Sequence, residues 1–244
     1  MQVIITDDVL AGIPSLVFRS QQSLLRSAPL ILLFHRFTVL NALDANLGYV
    51  LAKAGFDVVC PEASGHGSRF DGDEKKRLSQ FWQILHRTLE EVPSLVEACG
   101  DRGIGDLRRI GVFGTSMGGF AVTGAMIRYP WIQAGAAFMG GGYFADAMSY
   151  VHPPCEGEKQ SCLVNLRDYD AQHHAAQLAG RALFLWHGAQ DNVVSSRESE
   201  RLRDSLNALN GAGKLTCIID PQGEHKITSA SMEAGVRFMC QYLQ

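Results

Sequence analysis

The sequence predicts an α/β fold: a mostly parallel central sheet with helices on both faces. Three observations carry this. Strand-like and helix-like segments alternate along 244 residues. Leu30–Phe34 reads LILLF, a continuous apolar run of the kind a strand buried on both faces requires. Arg109–Phe113 is a β run followed at once by the glycine-rich turn GTSMGG and then a helical pattern.

The elements follow in order. Gln2–Thr6 and Ser15–Arg19 read as short strands around the turn-like Ala-Gly-Ile-Pro stretch. Ala42–Ala54 reads as a helix closed by Gly55, a natural C-cap. Phe56–Cys60 is a strand stopped by Pro61, and a loop rich in glycine and charge comes next. Ser79–Cys99 carries Phe81, Trp82, Leu85, Leu89, Val92 and Val96 at three- and four-residue steps, so one long helix is expected, kinked or split at Pro93. Phe120–Tyr129 is a helix halted before Pro130, and Gln133–Met139 is the sixth strand, broken by Gly140–Gly142. Residues 143–178 have no strand signal and read as a small helical cap inserted after that strand, within a single domain spanning 1–244. Arg181–Trp186 and Leu215–Ile219 complete the strands. An amphipathic helix, Ser195–Leu209, ends near Asn210-Gly211, and Ser229–Leu243 is the last helix.

Composition narrows the function classes. Hydrophobic residues make up 46% and charged residues 19%, and the formal net charge is -3. With no basic stripe, nucleic acid and anionic membrane are poor partners. No apolar run approaches the ~20 residues of a membrane helix. The first residues, MQVIITDDVLAG, lack a basic region followed by an apolar one, so no signal peptide is expected. Six scattered cysteines read as thiols in a reducing compartment, which makes the cytoplasm the expected location. His152, Cys155, Cys162, His173 and His174 crowd one polar stretch. Their spacing matches no standard zinc pattern, so the expectation is no metal and no cofactor.

Ligands in parallel sheets bind outside the carboxyl ends of the strands, so the residues just after each strand matter most. Gly114-Thr115-Ser116-Met117-Gly118 lies between a strand and a helix, the context of a G-x-S-x-G nucleophile elbow. The tight turn exposes the Ser116 hydroxyl, small residues flank it, and the following helix N-terminus favours developing negative charge. A serine hydroxyl needs a base. Of eight histidines, His225 alone follows the last strand and precedes the last helix. Asp191, in the loop after Arg181–Trp186, completes a Ser…Asp…His order. Asp146, Asp168 and Asp170 are rivals only if the acid sits in the cap.

With "ASGHGSRFDGD", "RLSQFWQIL", "GTSMGG", "GGGYF", "LFLWHGAQDNVV" and "GEHKIT" in place, the whole chain resembles an α/β-hydrolase, more narrowly the small bacterial YjfP-type esterases. The resemblance implies hydrolysis of carboxylic esters with short acyl chains by Ser116, Asp191 and His225. A small-molecule ester is the implied partner. Thioesterase or peptidase activity on the same triad is a second reading, and a non-catalytic binding protein on this scaffold a third. The backbone N–H of Met117 is the first expected oxyanion donor. By the pattern resembled, His35-Arg36-Phe37 stands where His-Gly-Phe is usual, and the Phe37 N–H is the second donor. Arg36 is the departure, expected to be tolerated, or to lean over the pocket toward anionic substrates. His35 is expected to hold this loop by hydrogen bonds, and His66 to bond loop backbone. Tyr143, Phe144, Met148 and Tyr150 are the candidates for an apolar acyl site under the cap.

Overall fold

The computed structural model describes residues 2–38, 44–209 and 212–244. Its centre is an eight-stranded sheet in the order β1-β2-β4-β3-β5-β6-β7-β8. β1 (Val3–Leu10) and β2 (Ile13–Ser20) form a hairpin whose two-residue turn, Ala11-Gly12, has positive φ at both positions, matching the twist of the strands it joins. β2 runs antiparallel to β4 (Asp57–Pro61). All later pairings are parallel: β4 with β3 (Pro29–Phe34), β3 with β5 (Asp106–Thr115), then β6 (Ile132–Phe138), β7 (Ala182–Gly188) and β8 (Leu215–Asp220). Every residue of β3 and β7 is buried, as the apolar runs Leu30–Phe34 and Ala182–Trp186 require.

Two hydrophobic layers sandwich the sheet. On one face α1 (Ala45–Lys53) and α10 (Ser229–Leu243) cover Phe18, Ile31, Phe113, Phe138 and Phe184. On the other, α3 (Phe81–Glu90), α4 (Val92–Asp101) and α5 (Met117–Arg128) cover Leu30, Leu32, Val112 and Leu185. The expected helix start at Ala42 and the stop near Asn210-Gly211 lie outside the described residues.

The helical stretch expected over Ser79–Cys99 with a kink or split at Pro93 is split, into α3 and α4, with Pro93 in the first turn of the second. There its missing N–H costs nothing, so the chain breaks before the proline rather than bending around it. A short helix, α2 (Glu74–Ser79), precedes them. It is capped by Asp73, which accepts from the Lys76 amide.

Between β6 and β7 the chain is helical: α6 (Phe144–Ala147), α7 (Glu156–Leu166), α8 (Ala171–His174) and two short 3₁₀ turns. The indole N–H of the fully buried Trp82 donates to the Val151 carbonyl at 3.0 Å and ties this segment to α3. α9 (Arg197–Ala208) follows β7. Among the described residues no helix is long and apolar enough to cross a membrane, and no three His, Cys, Asp or Glu side chains gather as a metal site. His152, from the polar Cys/His stretch, stacks on Phe81 instead.

Candidate active site

Ser116 sits between β5 and α5 at φ 56°, a positive value rare for a residue with a side chain. Such backbone costs of order 1–3 kcal/mol and persists only where its surroundings dictate it. Here they do. A Cβ on Gly114 would strike the Gly118 carbonyl, and one on Gly118 would strike the Phe34 carbonyl. The Ser116 amide donates to Phe138 O at 2.8 Å, and its carbonyl receives the amides of Gly119 and Phe120. The hydroxyl is thereby held above the carboxyl ends of the central strands.

His225 reaches it from the loop after β8. Its Nε2 lies 2.9 Å from Ser116 Oγ, and its Nδ1 lies 2.7 Å from Asp191 Oδ2. A carboxylate only accepts, so Nδ1 carries the proton and Nε2 is free to receive the serine's. The loop is braced at both ends. The amides of Ala189 and Gln190 bond to Asp220 O and Gly223 O, and Thr228 and Ser231 form a capping box that opens α10.

The Asp191 side chain is fully buried and richly bonded. Oδ1 accepts the amides of Val193 and Val194, each at 2.9 Å. Burial alone would raise its pKa. Hydrogen bonding from His187, His225 and those two amides outweighs burial and holds the carboxyl well below its usual range. His187 was not singled out from the sequence, although it sits four residues before Asp191 in WHGAQD. Its Nε2 faces two acceptors, Val194 O at 2.9 Å and Asp191 Oδ2 at 3.3 Å, so that nitrogen carries the proton. Its Nδ1 pairs with Ser199 Oγ at 2.8 Å.

The loop after β3 is clamped by two buried histidines. His35 Nδ1 donates to Arg36 O at 2.7 Å, and its Nε2 accepts the Ala63 amide at 3.0 Å. His66 Nε2 accepts the Thr38 amide at 2.9 Å, and its Nδ1 donates to Ser64 O. Burial lowers the pKa of both, that of His66 to about 4 with the neighbouring His35 adding to the effect. Thr38, not Arg36, takes the positive φ here, which is why an arginine fits where the resembled pattern has glycine. Arg36 donates Nε and Nη2 to Asp44 Oδ1 at 3.2 and 3.0 Å, and its amide meets Asp44 Oδ2 at 3.3 Å. Among the described residues no acceptor is bonded to the Phe37 or Met117 amide.

Three of the four aromatic and methionine candidates for an acyl site, Tyr143, Phe144 and Met148, are buried in the core layer. Phe144 is 0% exposed and packs on Trp82 and Phe120. Met148 is buried in the same layer. Tyr143 turns toward α9, its hydroxyl 2.6 Å from Ser205 Oγ and Arg201 stacked over its ring. These three anchor the helical segment to the domain, and that packing consumes their apolar surface. Tyr150, 44% exposed, donates to Glu198, a carboxyl whose pKa burial raises. Of the candidates only Arg36 lines the cavity that opens on His225. Phe37 packs edge-on against Phe81 and His152.

A parallel-centred sheet, a serine on a strained strand-to-helix turn and a histidine bridging it to a buried carboxylate define an enzyme of the serine-hydrolase class with the α/β-hydrolase fold. The sequence model of the prolyl oligopeptidase family matches residues 41–244, and the chain belongs to that family. It is 35% identical over 222 residues to Esterase YjfP of Escherichia coli (strain K12), covering 88% of this chain and 89% of that one. It is 30% identical over 252 aligned residues to YitV of Bacillus subtilis (strain 168), covering 98% and 99%. TT1662 from Thermus thermophilus has the same fold, with a TM-score of 0.80 at 19% identity over 100% of this chain and 99% of that one.

Proposed function

We propose that this protein is a carboxylesterase that cleaves esters of short acyl chains through an acyl-enzyme on Ser116. The observation that carries the reading is the hydrogen-bonded series Ser116 Oγ, His225 Nε2, His225 Nδ1, Asp191 Oδ2, with steps of 2.9 and 2.7 Å. His225 takes the hydroxyl proton as Oγ attacks the ester carbonyl. Asp191 keeps the imidazole in the Nδ1–H tautomer and stabilises the imidazolium. The amides of Phe37 and Met117 receive the oxyanion, and losing one such donor costs about 2.7–4 kcal/mol. His225 then protonates the departing alcohol, and water repeats the sequence in reverse to free the acid.

Similarity to an esterase at 35% identity supports the ester bond as the one cleaved. Membership of the prolyl oligopeptidase family gives a peptide amide a place as the second reading. A cytoplasmic location is supported by Cys60, Cys99 and Cys162, free thiols used as small hydrophobes in the core. The test is a panel of p-nitrophenyl esters from acetate to decanoate, with acyl-CoA thioesters and peptide amides, alongside labelling by a fluorophosphonate. Short esters should turn over fastest, and labelling should vanish in Ser116→Ala. Folded protein that takes no label would instead favour a binding role without turnover.

A further inference from the structure

We propose that the cavity beside His225 receives a carboxylate carried on the alcohol portion of the ester, so that the preferred substrates are esters of anionic alcohols. This rests on the esterase reading above. The cavity measures about 210 Å³ and lies on the face of the sheet covered by α1 and α10. That exceeds the ~150 Å³ known to admit a benzene ring.

Its chemistry is mixed in a specific way. Leu47, Met139 and Met232 supply apolar wall. Two cations line it, Arg36 and the exposed Lys226. Asp44, the one carboxylate lining it among the described residues, is occupied by Arg36 Nε and Nη2. That pairing orients the guanidinium rather than removing it, because Arg36 Nη1 and Lys226 Nζ have no acceptor among the described residues. Residues 39–43, Val-Leu-Asn-Ala-Leu, add no charge to the balance. Thr115 also lines the cavity. It is 2% exposed, and its hydroxyl has no hydrogen-bond partner. A buried hydroxyl left without a partner costs free energy, which a polar ligand group would recover. Two cations and an unpaired hydroxyl around an apolar wall suit a carboxylate on a small apolar body.

The mechanism assigns this group to the alcohol. When the tetrahedral intermediate collapses, the bond from carbonyl carbon to alcohol oxygen breaks. The imidazolium of His225 gives its Nε2 proton to that oxygen, and the acyl group stays on Ser116. The departing oxygen must therefore stand at His225, and a cavity opening on His225 takes whatever that oxygen carries.

The experiment compares 4-acetoxybenzoate with phenyl acetate in wild type, Lys226→Gln and Lys226→Glu. The two esters share the acetyl group and differ in the carboxylate on the leaving phenol. The ratio of their kcat/KM values, followed across the three proteins, cancels their difference in intrinsic reactivity. The ratio should fall about two- to fivefold in Lys226→Gln, as for one partly exposed charge pair, and about tenfold in Lys226→Glu. It should also fall in wild type as NaCl is raised, which tests the same interaction without a variant. Equilibrium binding of 4-hydroxybenzoate and phenol gives a readout independent of turnover. The benzoate should bind more tightly in wild type and lose that advantage in Lys226→Glu. A ratio unchanged by both variants and by salt, with 4-hydroxybenzoate binding no better than phenol, overturns the proposal. Absence of phenyl acetate turnover would count against the esterase reading, and the binding comparison would still decide the cavity.

Discussion

His187 and Asp191 face each other at the end of β7, with imidazole Nε2 3.3 Å from carboxylate Oδ2. That same oxygen meets His225 Nδ1 at 2.7 Å, so one atom of Asp191 lies between two histidines. The His225 side chain is partly open to solvent, and in the proposed mechanism it moves a proton. His187 is fully buried, and its proton is committed to Val194 O and Asp191. In the proposed mechanism His187 therefore acts only by holding Asp191.

Replacing His187 with Gln should lower kcat about tenfold, equivalent to about 1.4 kcal/mol of barrier, while KM changes little. Steady-state kinetics on a short p-nitrophenyl ester measures both constants. A loss confined to KM would contradict a positioning role.

Gly118→Ala should be far more damaging than its one methyl suggests. The new Cβ meets the Phe34 carbonyl, backbone that cannot rotate away. Overpacking of this kind costs about 1–3 kcal/mol, and the displaced turn carries both Ser116 and the Met117 amide. Urea denaturation should show the destabilisation, and fluorophosphonate labelling should slow at least tenfold. Wild-type labelling in a destabilised variant would separate the fold requirement from the site.

The histidine clamp predicts a pH dependence. His66 titrates near pH 4 in the folded chain, below the ~6.5 of an unperturbed histidine. Between those values the unfolded chain binds more protons than the folded one, so protonation favours unfolding. The contribution of the neutral ring is complete above about pH 6.5 and is lost as pH falls toward 4. His66→Gln, which accepts the Thr38 amide without titrating, should flatten that part of the stability curve. Chemical denaturation from pH 4 to 7 measures it, and equal slopes in the two proteins would refute the assignment.

Trp82→Phe keeps an aromatic ring in the layer between α3 and the helical segment but removes the donor to Val151 O. The expected cost is about 1–2 kcal/mol for the unsatisfied carbonyl and lost volume. Limited proteolysis should show faster cleavage within 149–160. An unchanged cleavage pattern would mean the segment is held by its other contacts.

The order of strands and helices was legible in the chain because burial on one face or two imposes different periods. Ile110–Phe113 and Leu30–Phe34 are apolar throughout, whereas the apolar residues of Phe81–Leu89 recur every three or four positions. Ser116, Asp191 and His225 were legible for a related reason. Each follows a strand, and parallel strands all end on one edge, so three distant residues had one place to meet.

Facing was not legible. Tyr143, Phe144 and Met148 have the composition of a pocket wall, yet docking of helices on α3, α5 and α9 turned them inward. His187 went unread because the strand runs two residues past Trp186, and only the parallel pairing with β8 buries it behind Asp191. The sequence by itself determined the layers, the strand order along the chain and the three residues that meet at the strand ends, Ser116, Asp191 and His225, since these depend on local period and position relative to strand ends. Only the tertiary structure decided that Arg36 is held by Asp44, that His35 and His66 clamp the loop after β3, and that His187 stands behind Asp191. Those pairings join residues whose side-chain directions are set by packing across the sheet, and no local pattern encodes such directions.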